Sequence, residues 1–306
     1  MSRCVRAGLL AGFMAVAAFG FAQTGFRVGV LRGPTAIAFA PLMETGATLH
    51  DGRPLEIKLY PEPSNLITAF ISGEVDAATL PSNAAAQLYG RGIAVEIGAT
   101  FIWGVLYVVG PGEETLSSLK SPVHSIGRGA TPDIVLRYVL DRAGLADQVR
   151  VAYGYAQVEL AQLLIAGRVS AGVLPEPFVT RVLRENPDLG IIADLQSEFR
   201  AYAGSELPQT VLILRPGSAA TESLVAALDH SVRTILAEPN RIAAVVAGLG
   251  IGLDEATALE SLPRLNLRVV GAAASREALE TYFAILYAFE PAAVGGRLPA
   301  GGFYGE

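Results

Sequence analysis

Apolar residues in this chain fall mostly in short blocks closed by Gly, Pro and polar turns. Phe26 to Leu31 is such a block, of strand length, closed by Arg32-Gly-Pro-Thr35 and followed by apolar positions at helical spacing. The pattern predicts a strand, a glycine turn and an amphipathic helix. The same order returns 96 positions later at Val123 to Gly127, Arg128-Gly-Ala-Thr131 and the residues beyond. A second pair is closer. Ile71-Ser-Gly-Glu-Val-Asp-Ala-Ala-Thr-Leu-Pro81 and Ile165-Ala-Gly-Arg-Val-Ser-Ala-Gly-Val-Leu-Pro175 share six of eleven residues at an offset of 94. Each reads as a helix end, a Gly turn and a buried strand stopped by Pro. A third pair, Val105-Leu-Tyr-Val-Val-Gly-Pro-Gly112 and Val211-Leu-Ile-Leu-Arg-Pro-Gly217, gives two apolar strands ending in Pro-Gly.

Three recurrences in the same order predict an α/β protein of two similar lobes. The third pair falls where the chain would leave lobe one and return to it, so both strands are read as crossings. Lobe one is then residues 25–104 plus 215–306, and lobe two residues 105–214. Beyond the second crossing the spacing predicts packing helices over Thr221 to Ala237, Asn240 to Leu249, Asp254 to Leu262 and Ser275 to Phe289. In such sheets ligands sit at the carboxyl ends of strands, beside helix N-termini, and two facing lobes make one cleft.

The N-terminus departs from this pattern. Arg3 and Arg6 precede an uncharged stretch from Ala7 to Ala22, with Gly20 and Ala22 as small residues ahead of Gln23. This predicts a signal peptide over residues 1–22; the alternative is an uncleaved anchor, since residues 7–26 carry no charge. The single cysteine, Cys4, precedes the apolar stretch and is not a lipid anchor. Losing Arg3 and Arg6 from the 23 basic residues leaves 21 against 29 acidic ones, a formal charge of −8, and no thiol. Thiolate catalysis, thiolate metal sites and disulfides are thereby excluded for the mature chain. No basic block exists to track a phosphate backbone, so nucleic acid is not an expected partner. His50, His124 and His230 lack metal-ligand spacing, and no metal or cofactor is expected. A leader without a lipid anchor suits a periplasm.

The series Leu31-Arg-Gly-Pro-Thr35, Leu80-Pro-Ser-Asn83, Gly104-Val-Leu-Tyr-Val108, Gly127-Arg-Gly-Ala-Thr-Pro132 and Leu174-Pro-Glu-Pro-Phe178, closing on Gly295-Gly-Arg-Leu-Pro299 and Phe303-Tyr304, resembles the substrate-binding components of nitrate, sulfonate and taurine type ABC importers. Within that family it looks most like the branch similar to pyrimidine-precursor binding proteins. The resemblance spans about Phe26 to Tyr304. It implies a type II periplasmic-binding fold, two α/β lobes joined by two crossing strands, hinge closure on one small molecule, and docking of a monomer on an ABC permease with a cytosolic ATPase. It does not carry a ligand identity.

Candidate ligand contacts follow from the repeat. Thr131, with Pro132 and Asp133 behind it, reads as an N-cap, and the N–H groups beside Gly129 and Ala130 are open to a ligand oxygen. Arg128 is either an anion partner or a surface arginine. Gly33, Pro34 and Thr35 mirror this turn. Ser82 reads as the cap of the helix through Ala84 to Tyr89, and Asn83 offers a donor and an acceptor. Glu176 holds the equivalent place in lobe two, either steadying a helix N-terminus or accepting from a ligand. Trp103, the only tryptophan, is placed near the cleft floor as a platform for a ring, with Gln209 and Thr210 facing it from the return crossing. With only Arg32 and Arg128 as cleft arginines, a neutral or cationic heterocycle is favoured over a sulfonate. No nucleophile has a paired base, so binding without catalysis is expected; the alternatives are an enzyme on the same fold, of the menaquinone-precursor or thiamine-pyrimidine type, or a ligand sensor.

Overall fold

The computed structural model describes residues 25–305, so the expected leader lies outside the described residues. From Phe26 the chain lays down β1 (Phe26–Leu31), β2 (Leu55–Tyr60), β3 (Ala77–Pro81) and β4 (Glu96–Ile102), then β5 (Leu106–Pro111), β6 (Val123–His124), β7 (Val151–Ala152), β8 (Ala171–Pro175) and β9 (Leu189–Asp194), and finally β10 (Thr210–Leu214) and β11 (Leu267–Gly271). They form two sheets. The larger has the order β11-β4-β10-β3-β1-β2 and the smaller β7-β6-β8-β5-β9. Strands β1, β2 and β3 run parallel with helical crossovers, and β10 enters antiparallel between β3 and β4. In the smaller sheet β6, β7 and β8 are parallel, and β5 runs antiparallel between β8 and β9.

The helices are α1 (Pro34–Ala38), α2 (Ala40–Thr45), α3 (Pro63–Ser72), α4 (Ser82–Gly90), α5 (Thr131–Arg142), α6 (Gln157–Ile165), α7 (Phe178–Glu185), α8 (Leu195–Ala203), α9 (Thr221–Ala237), α10 (Pro239–Gly248), α11 (Glu255–Ser261) and α12 (Ala272–Phe289). The strongest repeat in the sequence is visible as structure: α3, the turn at Gly73 and β3 match α6, the turn at Gly167 and β8. Both glycines have positive φ, 78° and 65°, which a side chain would strain.

Three expectations are corrected. The recurrence of apolar strands places β10 in lobe two as a crossing, but it lies inside the larger sheet. All five of its residues are buried, so its Val-Leu-Ile-Leu run is satisfied only with strands on both sides. The chain instead passes between the sheets at residues 103–105 and 204–209. The C-terminal spacing predicts packing helices, yet the region also contributes β11, an edge strand with a broken register against β4. Neither Ser82 nor Thr131 acts as a helix cap. The residues before α4 and α5 are Pro81 and Ala130, and neither helix start receives a side-chain cap bond.

One apolar cluster spans both sheets. It runs from Leu80, Ile97 and Phe283 beside the larger sheet to Val108, Ile134 and Phe199 beside the smaller. Near its edge the Gly295-Gly-Arg-Leu-Pro299 motif finds a physical reason. A Cβ added to Gly90, the last residue of α4, would lie 2.8 Å from the Gly295 carbonyl oxygen. Gly90→Ala should therefore cost about 1–3 kcal/mol by overpacking, against the roughly 1 kcal/mol that alanine gains in a helix interior. Urea denaturation measures it, and a stabilised variant would mean that the Gly295 loop yields freely.

Candidate functional site

The carboxyl ends of β1, β2 and β3 and the loop into β10 face those of β7 and β8 across a cavity of about 400 Å³. From the larger sheet come the turn Leu31 to Thr35, the Pro61-Glu62-Pro63 turn and Pro81. From the smaller come Gln157 and Val158 at the start of α6, and Pro175, Pro177, Phe178 and Arg181 around the start of α7. The floor is Val105, Gln209 and Thr210, at the two passages between sheets, and Ile251 to Leu253 close one side.

Of the expected contacts, Gly33, Pro34, Thr35, Gln209 and Thr210 line this cavity. Thr35 turns its hydroxyl to the Leu31 carbonyl. The side-chain carbonyl of Gln209 accepts from Val105 N–H at 3.0 Å, which ties the two passages together and leaves its NH2 without a protein partner among the described residues.

The other expected contacts lie outside the cavity wall and are engaged within the protein. Ser82 donates to the Pro208 carbonyl, and its N–H to that of Gln209 at 3.0 Å. The Thr131 hydroxyl donates to Asn83 Oδ1 at 3.2 Å and receives the Tyr282 hydroxyl at 3.1 Å. This buried trio joins α5, beside the smaller sheet, to α4 and α12, beside the larger. The mirrored turn at Arg128, Gly129 and Ala130 is likewise occupied. Gly129 N–H donates to Asp133 Oδ2 at 2.7 Å, and Arg128 is exposed with its guanidinium 4.5 Å from the Tyr153 ring centre. Asp133 also holds Arg137 and Tyr153, and burial together with that carboxylate pushes the Tyr153 phenol up to about 12.

Trp103 is no platform for a ligand in this arrangement. Its indole N–H donates to the Arg268 carbonyl at 2.8 Å, and the Arg268 guanidinium covers its ring at 4.6 Å. Asn266 completes the staple by donating to the Gly104 carbonyl at 2.7 Å. Glu176 is fully buried. Its carboxylate accepts the Thr180 N–H at 3.1 Å and the Thr180 hydroxyl at 2.9 Å, and it pairs with Arg264 from the segment ahead of β11. Beside it, Tyr107 donates to the Arg264 carbonyl at 3.0 Å, and burial holds that phenol protonated well above the usual range. Sequence reasoning missed Glu62, Gln157, Val158 and Phe178. The available signal was their position one to three residues beyond a strand end or at the start of the helix that follows.

No family model and no curated protein sequence matches the chain. Among solved structures, an ABC transporter from Parabacteroides distasonis is 31% identical, with a TM-score of 0.83 over 92% of this chain and 98% of that one. The chain belongs to the substrate-binding proteins of ABC transporters. Two further structures share the fold of this binding protein. The periplasmic aliphatic sulphonate binding protein SsuA from Escherichia coli is 13% identical, with a TM-score of 0.69 over 90% of this chain and 92% of that one. The alkanesulfonate-binding SsuA from Xanthomonas axonopodis pv. citri, bound to MOPS, is 14% identical, with a TM-score of 0.66 over 90% and 95%. Among the described residues no helix is long and apolar enough to cross a membrane, and no group of His, Cys, Asp or Glu is arranged to hold a metal ion.

Proposed function

We propose that this ABC-transporter component is exported to the periplasm, captures a small organic molecule in the 400 Å³ cavity and delivers it to a membrane permease with a cytosolic ATPase, binding it without turnover. The observation that carries the reading is the make-up of that cavity. Strand ends and helix starts of both sheets converge on one cleft, the arrangement by which open α/β sheets hold ligands. Binding without chemistry is supported by the wall itself. Its hydroxyls are those of Thr35 and Thr210, and neither has an acid or base within hydrogen-bonding reach among the described residues.

The contacts expected from Gly33, Pro34, Thr35, Gln209 and Thr210 belong to this proposal, with Gln157, Val158 and Phe178 added. Val158 offers the cleanest test, because it lines the cavity yet is 52% exposed, so a larger side chain fits there without disturbing the core. Val158→Trp should fold with an unchanged melting temperature and retain less than about a tenth of the small molecule that copurifies with the unaltered protein, read by native mass spectrometry. Full retention in the variant would place the ligand elsewhere.

A further inference from the structure

The cavity is built at helix N-termini, where α/β proteins ordinarily hold anions on free N–H groups. In this chain a proline, a carboxylate or a backbone carbonyl meets the starts of α1, α3, α4 and α7, while α6 has no side-chain cap and carries Glu159 in its first turn. Helices α1 and α3 begin with Pro34 and Pro63, which have no N–H to offer, and α3 is preceded by the carboxylate of Glu62. The start of α7 is served by the buried carboxylate of Glu176, which takes the Thr180 N–H at 3.1 Å. The first N–H of α4 is given to the Gln209 carbonyl at 3.0 Å.

The side chains of the wall repeat the message. Arg181 is held by Glu185 at 2.8 Å. That leaves Arg32 and Glu62 as the ionisable wall residues without an ion pair among the described residues, one of each sign. The remaining polar ends, at Gln157, Gln209 and Thr210, are neutral. Between them the surface is hydrocarbon: proline ring faces at the ends of β1, β2, β3 and β8, and Phe178. A monoanion entering such a wall gives up its water for a single unpaired cation, on a wall that also carries a carboxylate of the opposite preference. A molecule of zero net charge gives up far less, and can meet the amide and hydroxyl ends.

We propose that this cleft selects ligands of zero net charge with an apolar body, and turns away monoanions such as nitrate and sulfonates. The inference rests on the cavity being the ligand site. It sets this chain apart in ligand chemistry from the two sulfonate-binding proteins that share its fold.

The test compares one body in two charge states. Benzenesulfonamide, benzenesulfonate and nitrate are titrated against the purified protein by calorimetry, with Glu62→Gln and Val158→Trp in parallel. The sulfonamide is expected to bind at least about tenfold tighter than the sulfonate, with nitrate silent, and Glu62→Gln is expected to narrow the gap by strengthening the sulfonate several-fold. A sulfonate or nitrate that binds as tightly as the sulfonamide overturns the inference, and so does a sulfonamide that does not bind. Val158→Trp separates the two levels of failure. Anion binding abolished by that substitution leaves the cleft as the site and defeats only the charge preference. Binding of any probe that survives it undoes the cleft assignment itself.

Discussion

Arg264→Met should lower the stability of the protein by about 2–3 kcal/mol, seen as a fall of roughly 5–10 °C in melting temperature. The Glu176 side chain is wholly buried, and its ligands are the N–H and hydroxyl of Thr180 and the guanidinium of Arg264. Deleting the guanidinium leaves a carboxylate in the interior with two neutral donors, and an uncompensated buried charge is the costly outcome when an ion pair is broken from one side. Arg264 keeps 31% of its side chain exposed, so water and salt soften the loss and place it below the usual range for fully buried pairs. Adding Glu176→Gln to Arg264→Met should return part of the stability, because the orphaned charge is then gone; thermal denaturation of the two variants and their combination completes the cycle. A loss below about 0.5 kcal/mol for Arg264→Met would mean that the pair behaves as an ordinary solvated surface bridge. The position gives this clamp a functional side. Glu176 lies between Pro175 and Pro177 of the cavity wall, so whatever holds Glu176 holds that wall toward the larger sheet.

Glu176 also shows where sequence reading reaches its limit. Its place after a strand and before a helix was legible, as was its suitability for steadying a helix start. What decided between that role and ligand contact was Arg264, 88 positions away, and no local pattern announces such a partner. Trp103 and Thr131 follow the same rule. Their partners Arg268 and Tyr282 come from the C-terminal region, which the periodicity described only as packing helices. The repeat fared better, because a helix, a glycine with positive φ and a buried strand ended by proline are set by neighbouring residues and need no distant partner. The turn after β1 was legible for that reason, and it lines the cavity together with Gln209 and Thr210, which were expected there from the return of the chain to lobe one. The symmetric turn at Arg128 was expected to do likewise, but there Asp133 accepts the Gly129 N–H and the Gly127 carbonyl accepts that of Ala130. An internal repeat constrains the backbone and leaves each copy free to fill its own turn. Strand β10 was misplaced by one step of the same logic: an apolar run reads as buried without saying between which strands.

Phe199→Ala should cost about 3–5 kcal/mol. Phe199 lies on α8 with none of its surface exposed, between Tyr138 of α5 at 5.4 Å and Tyr282 of α12 at 6.0 Å between ring centres. Tyr138 belongs with the smaller sheet. Tyr282 leads on to Phe283, Phe303 and Tyr304 beneath the larger, each step 5.4 to 6.0 Å. Phe199 therefore bridges two halves of one packed core, and its removal leaves a cavity that neither half can collapse to fill without shifting α12. Because this cluster is shared by both sheets, the unaltered protein should unfold in a single calorimetric transition. Phe199→Leu, which keeps most of the volume, should stay within about 1.5 kcal/mol of it. Phe199→Ala should also begin to uncouple the sheets, broadening the transition or splitting it in two. Two separate transitions in the unaltered protein, or a cost under about 1 kcal/mol for the alanine variant, would show that each sheet carries its own core and that the aromatic chain joins them only by proximity.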